Sequence, residues 1–468
     1  MKVCVLFPRF IVRNFGMPLG ALYIVNALKK AGFEVVFTDG TVTSCAEAKE
    51  RLLKERPDVL LVSMHTVFAD YGFEISGFFK KNFPENKVVI GGPHASIMPE
   101  KTLKHESVDF VSFGEGEESI IELLKNISHP EKVKGIGFKK KGRPFLNAPA
   151  SPICELDKLE FPDRTVLDDA YFKNGSSSIV TSRGCPFNCA FCQPTLNKIF
   201  GKDFRIRSPE NVIKEIKEIK RVFKEKGAEL KELHFTDDGL TYNKQWLEKL
   251  AKLMLMEKLG ISWSANTRAD TMPGLELLKL LKKTGLKSFS IGVESGDPYI
   301  RNEILRKGLS QEKLLSAFKL CKQAGIKTEA YLMVGSPEES EQSIQATLNV
   351  LDEIIPDFTQ VTITSPLPET YLAQFVDEKK IGKVEKWSDF AYGEQSHLKL
   401  ENFTKEQIKR VQMALVYAIL SRAFLKNRFG IEAKYSALFR IFRPSIVNYS
   451  LRTLQFLRFK AKNLLKGN

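Results

Sequence analysis

Cys185, Cys189 and Cys192 stand in the run Arg183-Gly184-Cys185-Pro186-Phe187-Asn188-Cys189-Ala190-Phe191-Cys192. A C-x3-C-x2-C spacing confines three thiolates to one tight loop, where each can take one iron of a cubane cluster. The fourth iron is then left without a protein ligand, and an open metal position is where chemistry can happen. Structural zinc prefers a closed set of four, and the flanking histidines, His129 and His234, are distant in sequence. Unrelated core cysteines are the blander alternative, but Gly, Pro and Asn interleave these three as in a loop. A short apolar stretch, Ser178–Thr181, precedes them and reads as a strand end.

Elements that could position such a loop follow it. Apolar runs at Ser178–Thr181, Leu233–Thr236, Ser262–Ala265, Ser288–Val293, Thr328–Val334 and Gln360–Ile363 alternate with amphipathic stretches such as Glu210–Phe223 and Gln311–Ala324. Six βα units without a clear seventh and eighth predict a partial (β/α)6 barrel, whose chemistry collects at the C-terminal strand ends. Polar residues fall there: Asp237-Asp238-Gly239, Asn266-Thr267-Arg268-Ala269-Asp270, Gly292-Val293-Glu294-Ser295-Gly296 and Gly335-Ser336-Pro337-Glu338. One strand-end acid alone could be a helix N-cap. Four successive sets are harder to assign to capping.

With these cysteines the segment resembles the cluster loop of the radical S-adenosylmethionine (SAM) superfamily. The resemblance implies a 4Fe-4S cluster held by Cys185, Cys189 and Cys192, with SAM on the open iron and adenine against the backbone of Phe191. SAM offers an ammonium, a carboxylate, a ribose diol and an adenine; carboxylates can accept from the first and third, and an Arg can pair with the second. By position, Asp238 matches the family's turn for the ammonium and Glu294, with Ser295 beside it, the ribose-side Glu. Arg268 is the candidate for the methionine carboxylate or for substrate. Gly335 departs little from the Gly-x-Pro turn that supports adenine.

Residues 1 to about 125 also alternate, with candidate strands Val3–Phe7, Glu34–Thr38, Val59–Ser63, Val88–Gly91 and Phe110–Phe113 and helices such as Ala21–Ala31 and Phe68–Phe83. That rhythm predicts a doubly wound parallel sheet, with ligands beyond the carboxyl ends of its strands. Glycine-bearing segments fall at those ends, where backbone can approach a ligand closely: Leu19-Gly20 after Met17-Pro18, Gly91-Gly92 before Pro93-His94, and Gly114-Glu115-Gly116 before Glu117. In this order they resemble the cobalamin-binding domain that precedes many radical SAM cores. The Asp-x-His-x-x-Gly run that supplies histidine to cobalt elsewhere is absent, so cobalamin is expected without a histidine from His65 or His94.

Residues 126–177 read as a connector with a hairpin around Gly135–Arg143. The predicted layout is therefore 1–125 cobalamin-binding-like domain, 126–177 connector, 178–370 radical SAM core and 371–468 helical basic region. The net charge of +15 is concentrated at the end, where eleven Lys or Arg from Arg422 onward face one acid, Glu432. Tyr435, Phe439, Phe442, Tyr449, Phe456 and Phe459 lie among them. Such a mixture suits an anionic membrane surface, a substrate cap or a nucleic-acid backbone, and peripheral membrane contact is the favoured expectation. No apolar run is long enough to span a bilayer. Seven cysteines, three of them committed, predict a reducing, cytoplasmic setting, peripheral to the inner membrane face through the tail.

The family resemblance implies cleavage of SAM to a 5′-deoxyadenosyl radical, hydrogen abstraction from an unactivated carbon, and methyl transfer from cobalamin to a small or lipid-like substrate. A low-potential electron donor such as flavodoxin or ferredoxin is the implied partner. The alternatives are a cobalamin-independent rearrangement, cyclisation or coupling enzyme, and a non-catalytic iron–sulfur module. A methylthiotransferase would carry three more cysteines ahead of the barrel, where only Cys4 and Cys45 precede residue 150.

Overall fold

The structure is a computed structural model that describes residues 1–10, 16–382, 386–390, 396–429 and 432–442. Five parallel strands, β1 (Lys2–Phe7), β2 (Glu34–Asp39), β3 (Val59–Ser63), β4 (Lys87–Gly91) and β5 (Phe110–Ser112), lie in the order β2-β1-β3-β4-β5. The winding reverses at β1, between β2 and β3, which opens a crevice beyond their carboxyl ends. The hairpin read as part of the connector instead extends this sheet: β6 (Ile136–Lys140) pairs antiparallel with β5, and β7 (Arg143–Leu146) with β6. Gly137 sits opposite Val111, where any side chain would strike Leu146 and Val111 itself.

Successive residues of β1 serve different cores, as strand pleating requires. Cys4 and Leu6 join Ala48, Leu52, Ile75 and Phe79 from the helices Cys45–Glu55 and Ala69–Asn82. Val3, Val5 and Phe7 face a core that continues without a break into the second half of the chain.

That half is built on six parallel strands: β8 (Ser176–Ile179), β11 (Glu232–Phe235), β12 (Ser262–Thr267), β13 (Leu286–Glu294), β14 (Lys327–Val334) and β15 (Phe358–Ile363), adjacent in that sequence. Between β8 and β11, the short pair β9 (Ser182–Arg183) and β10 (Arg205–Ile206) brackets the cysteine loop. The covering helices are amphipathic, and their caps are legible in sequence: Ser208 accepts from Asn211 N at 3.1 Å to start Pro209–Glu225. An open sheet of six such units is the partial barrel expected.

Beyond it, the helix Lys405–Phe429 packs on β15, and Tyr435–Phe442 packs on the helix Glu341–Ile354, with Asp352 accepting from Tyr435 N at 2.5 Å. Tyr435 and Phe439, expected on a lipid-facing surface, are buried against the barrel. Arg422 is buried too, bonded to Glu432 at 2.9 Å and stacked 4.8 Å from the Tyr435 ring centroid. Tyr449, Phe456 and Phe459 lie outside the described residues. Among the described residues, no helix is long and apolar enough to cross a membrane.

Candidate functional site

The cysteine loop is held from three sides. At its start Gly184 has φ +85°, and a Cβ there would stand 2.5 Å from Asp203 O. From inside, the Gln193 amide donates to Phe187 O at 3.2 Å and its oxygen accepts from Asn197 N at 3.2 Å. From below, buried Asp237 at the end of β11 accepts from Thr181 N and Thr181 Oγ1 at 2.8 Å and from Ser182 Oγ at 2.5 Å. Cys189 is buried, whereas Cys185 and Cys192 are half-buried. Burial pushes the thiols of Cys185 and Cys192 up, so thiolates at these places require a nearby cation. Bound iron supplies one, and the set of three fits a cluster with an open position. Among the described residues no three His, Cys, Asp or Glu side chains converge on a single-ion position.

Two of the sequence-predicted residues, Arg268 and Glu294, are brought together here through Lys307. Arg268, at the end of β12, reaches the loop: its Nη1 donates to Cys189 Sγ at 3.2 Å, and its guanidinium carbon lies 3.8 Å from the Phe187 ring centroid. Asp270 takes the fork on the other side, at 2.9 Å from both Nε and Nη2, and Nη2 also donates to Lys307 O at 2.7 Å. Four of the five guanidinium N–H groups are thus committed, and the single one left cannot grip a carboxylate bidentately. Glu294, at the end of β13, instead has a cation of its own: Lys307 Nζ lies 2.7 Å from its carboxylate, both residues being buried. Glu294 adopts φ +61°, a conformation an L residue holds only where its surroundings impose it. Gly292 is the reason the pair fits, since any Cβ there would strike both the carboxylate and the ammonium.

Lys307 is a second buried cation beside Arg268 at this site. Ala190 N donates to Leu305 O at 2.9 Å, which brings Lys307 beside Phe191, 6.0 Å from its ring centroid. Asp238, next to Asp237 at the end of β11, is open to solvent on one side and crowded by protein on the other; that crowding and the charge of Asp237 push its carboxyl up to about 6. Ser295 and Gly335 lie one layer back. Ser295 Oγ accepts from Asp297 N at 3.2 Å, and Gly335 gives its N–H to the buried Glu339, with Ile408 pressed against it. Both shape turns beneath the site.

The strand ends of the first sheet face this loop. Helix Pro93–Ile97, which follows Gly91 and Gly92, packs against Thr195–Phe200, which follows the cysteines. Leu19 is half-buried and Gly20 exposed, with nothing within 4 Å of where its Cβ would be. Gly92 has φ +84° and lies so close to the end of β3 that a Cβ would stand 2.9 Å from Met64 N. Open space over Gly20 and backbone at close approach fit a broad, flat ligand laid across these ends. His94 cannot reach it: the ring is buried between Phe73 and Trp387, its Nδ1 is 3.3 Å from Thr66 Oγ1, and burial pushes its pKa down to about 4.

The Gly114-Glu115-Gly116-Glu117 run behaves differently from its neighbours. Gly114 N donates to Ser96 Oγ at 3.0 Å, while Glu115 turns to Arg183 and Arg205, at 2.7 and 2.8 Å, and Glu117 also binds Arg183. All four side chains are buried. The acids of this turn clamp the first sheet to β9 and β10, two residues ahead of Cys185.

Residues 179–351 match the model of the radical SAM superfamily, and residues 11–124 that of the B12 binding domain. An uncharacterised methyltransferase of Pyrococcus horikoshii is 30% identical over 428 residues, covering 88% of this chain and 90% of the relative. The chain belongs to the radical SAM superfamily. Within it, this is an enzyme of the cobalamin-dependent methyltransferase family, whose cofactors are a 4Fe-4S cluster, SAM and cobalamin. The anaerobic magnesium-protoporphyrin IX monomethyl ester cyclase of Rubrivivax gelatinosus is 26% identical over 77% of this chain and 66% of its own length. The cobalamin-dependent SAM radical enzyme OxsB, solved with aqua-cobalamin bound, shares the fold with a TM-score of 0.76 at 17% identity, over 100% of this chain and 76% of that one.

Against this radical SAM background, Lys307 and Arg205 are partners of the site that the sequence did not mark, and the ion pairs of Asp270 and Arg183 were likewise unmarked. Lys307 sits in an unremarkable Arg306-Lys307-Gly308 turn with no periodic signal. Arg183 was visible immediately before the first cysteine, but its partners are 66 and 68 positions away.

Proposed function

We propose that this enzyme transfers a methyl group to an unactivated carbon of a small or lipid-like substrate, with the cluster held by Cys185, Cys189 and Cys192. Bound, the cluster and SAM supply a hydrogen-abstracting radical and cobalamin carries the methyl group. The observation that carries this is the connected set Cys189–Arg268–Lys307–Glu294, gathered at the ends of β12 and β13 beside the cysteine loop, which meets the glycine-rich end of the first sheet through the helix after Gly92. Lys307 offers an ammonium to the carboxylate of SAM, Asp238 and Glu294 offer acceptors to its ammonium and diol, and Phe191 lies against the same space. Leu19-Gly20, Gly91-Gly92 and Gly114 offer cobalamin an open face without a histidine, and Glu115 and Gly116 fix its edge. A low-potential donor of the flavodoxin or ferredoxin type delivers the electron, and the six Lys or Arg of residues 443–468 are assigned to anionic lipid.

Cyclisation without methyl transfer is the second reading, favoured by the likeness to the Rubrivivax cyclase. Anaerobic reconstitution with iron, sulfide, SAM, dithionite and methylcobalamin, followed by mass spectrometry of products from candidate substrates, separates them. Products heavier by a methyl group support the first; SAM cleavage with products of unchanged carbon count overturns it.

A further inference from the structure

The guanidinium of Arg268 is fixed on every side. Its fork is taken by Asp270, its edge by Lys307 O, its face by the Phe187 ring at 3.8 Å, and the remaining nitrogen is aimed at Cys189 Sγ at 3.2 Å. Arginine and aspartate side chains here are 9% and 13% exposed, so the whole assembly is largely withdrawn from water. Cys189 is also the most enclosed of the three cysteines. A sulfur receiving an N–H from a cation in a low-dielectric setting has its negative charge stabilised.

From this we infer that Arg268 is a positioning residue for the cluster loop that raises the cluster's reduction potential through an N–H···S hydrogen bond to Cys189, and is not a ligand of SAM. Hydrogen bonds to cluster sulfurs and net charge nearby are among the protein's levers on iron–sulfur potential. One electron from an external donor adds one negative charge to the cluster, and a fixed guanidinium at a ligating sulfur favours that state. Asp270 sets the geometry: by holding Nε and Nη2 it leaves only Nη1 directed at the sulfur. The ring of Phe187, in the same loop, prevents the guanidinium from swinging away. The proposal rests on the cluster assignment made above, and the two can fail separately.

The test uses the full-length, cluster-loaded protein. Midpoint potentials of wild type, Arg268→Gln, Arg268→Lys and Asp270→Asn are measured by dithionite titration monitored by electron paramagnetic resonance, with iron content and SAM binding measured on the same samples. The expected result is a potential lowered in Arg268→Gln and lowered less in Asp270→Asn, with SAM affinity within about threefold of wild type in both. Arg268→Lys keeps the charge and loses the fixed geometry, so a lowered potential there assigns the effect to the N–H···S contact. Wild-type potentials at full iron content in all three variants overturn the proposal, as does loss of SAM binding at unchanged potential. Should Arg268→Gln hold less iron, the lysine and asparagine variants still decide it. A wild-type chain that binds no iron cluster would overturn the cluster assignment instead.

Discussion

The two sheets present their C-terminal ends to each other, and they are furnished in opposite ways. The ends of β11, β12 and β13 carry buried charges that satisfy one another or the cysteine loop: Asp237 on Thr181 and Ser182, Arg268 on Asp270 and Cys189, Glu294 on Lys307. The ends of β1, β3 and β4 carry glycine, Leu19 and a neutral, enclosed His94. The carboxylates at the end of β5, Glu115 and Glu117, turn outward to the other unit. The contrast follows from the ligands: a zwitterion such as SAM rewards paired charges, while a broad macrocycle needs space and close backbone. Burying lone charges is costly, and on the barrel face Arg268 and Glu294 each arrive with an opposite charge.

The largest effect tests the barrel side alone. Replacing Cys185, Cys189 and Cys192 together by Ala removes iron binding and SAM cleavage completely while circular dichroism stays that of the parent. Retention of four irons by the triple variant breaks the comparison at its root. Next, Lys307→Met leaves Glu294 buried without its cation, a loss of about 3–5 kcal/mol in unfolding free energy. Adding Glu294→Gln should recover most of the stability but not SAM affinity. If the single variant is as stable as wild type in urea, the pair is not buried as described.

A smaller effect probes the joint between the sheets. Glu115→Gln with Glu117→Gln weakens charge-assisted bonds worth ~1.5–3 kcal/mol each. The expected result is uncoupling: 5′-deoxyadenosine is still formed, while methylated product falls more steeply. Equal losses in both would show that the clamp serves general stability only.

The two faces should also differ in sign with pH. His94 is held near 4 in the fold against an ordinary 6.5, because burial opposes its charge, so the unfolded chain binds the extra proton and stability falls as pH drops from 6.5 toward 4. Glu339, behind Gly335, is pushed up to about 8 from 4.5 by burial, so its contribution is lost as pH rises between those values. His94→Gln flattens the acid limb of a thermal-stability profile and Glu339→Gln the alkaline limb. A variant that changes the wrong limb refutes its assignment.

Much of this was legible in sequence because it is local. The strands showed as apolar runs of the right period, the cysteines by spacing, and the glycines by falling where strands end. What was not legible depends on distant partners. Nothing in the sequence signalled that Asp270 and Cys189 take up donors of Arg268, or that Arg183 and Arg205 face Glu115. The hairpin at 136–146 carried a clear turn signal, but only tertiary pairing with β5 made it part of the first sheet.

The smallest effect concerns the chain beyond both sheets. Tyr435 and Phe439, which could have faced lipid, are instead packed on the barrel, so any lipid affinity is assigned to residues 443–468, which hold six Lys or Arg and no acid. At ~1 kcal/mol per basic residue near an anionic surface, three or four engaged side chains give weak but measurable association. Exposed charges are screened within about 8 Å at physiological salt, so the association must decline as salt rises. Co-sedimentation of the full chain and of a version ending at Phe442 with phosphatidylserine-containing vesicles checks it. The full chain should pellet more, and only with anionic lipid at low salt. Equal pelleting by both versions would return the basic tail to a role at the barrel, on the same footing as the buried Arg422 that already serves there.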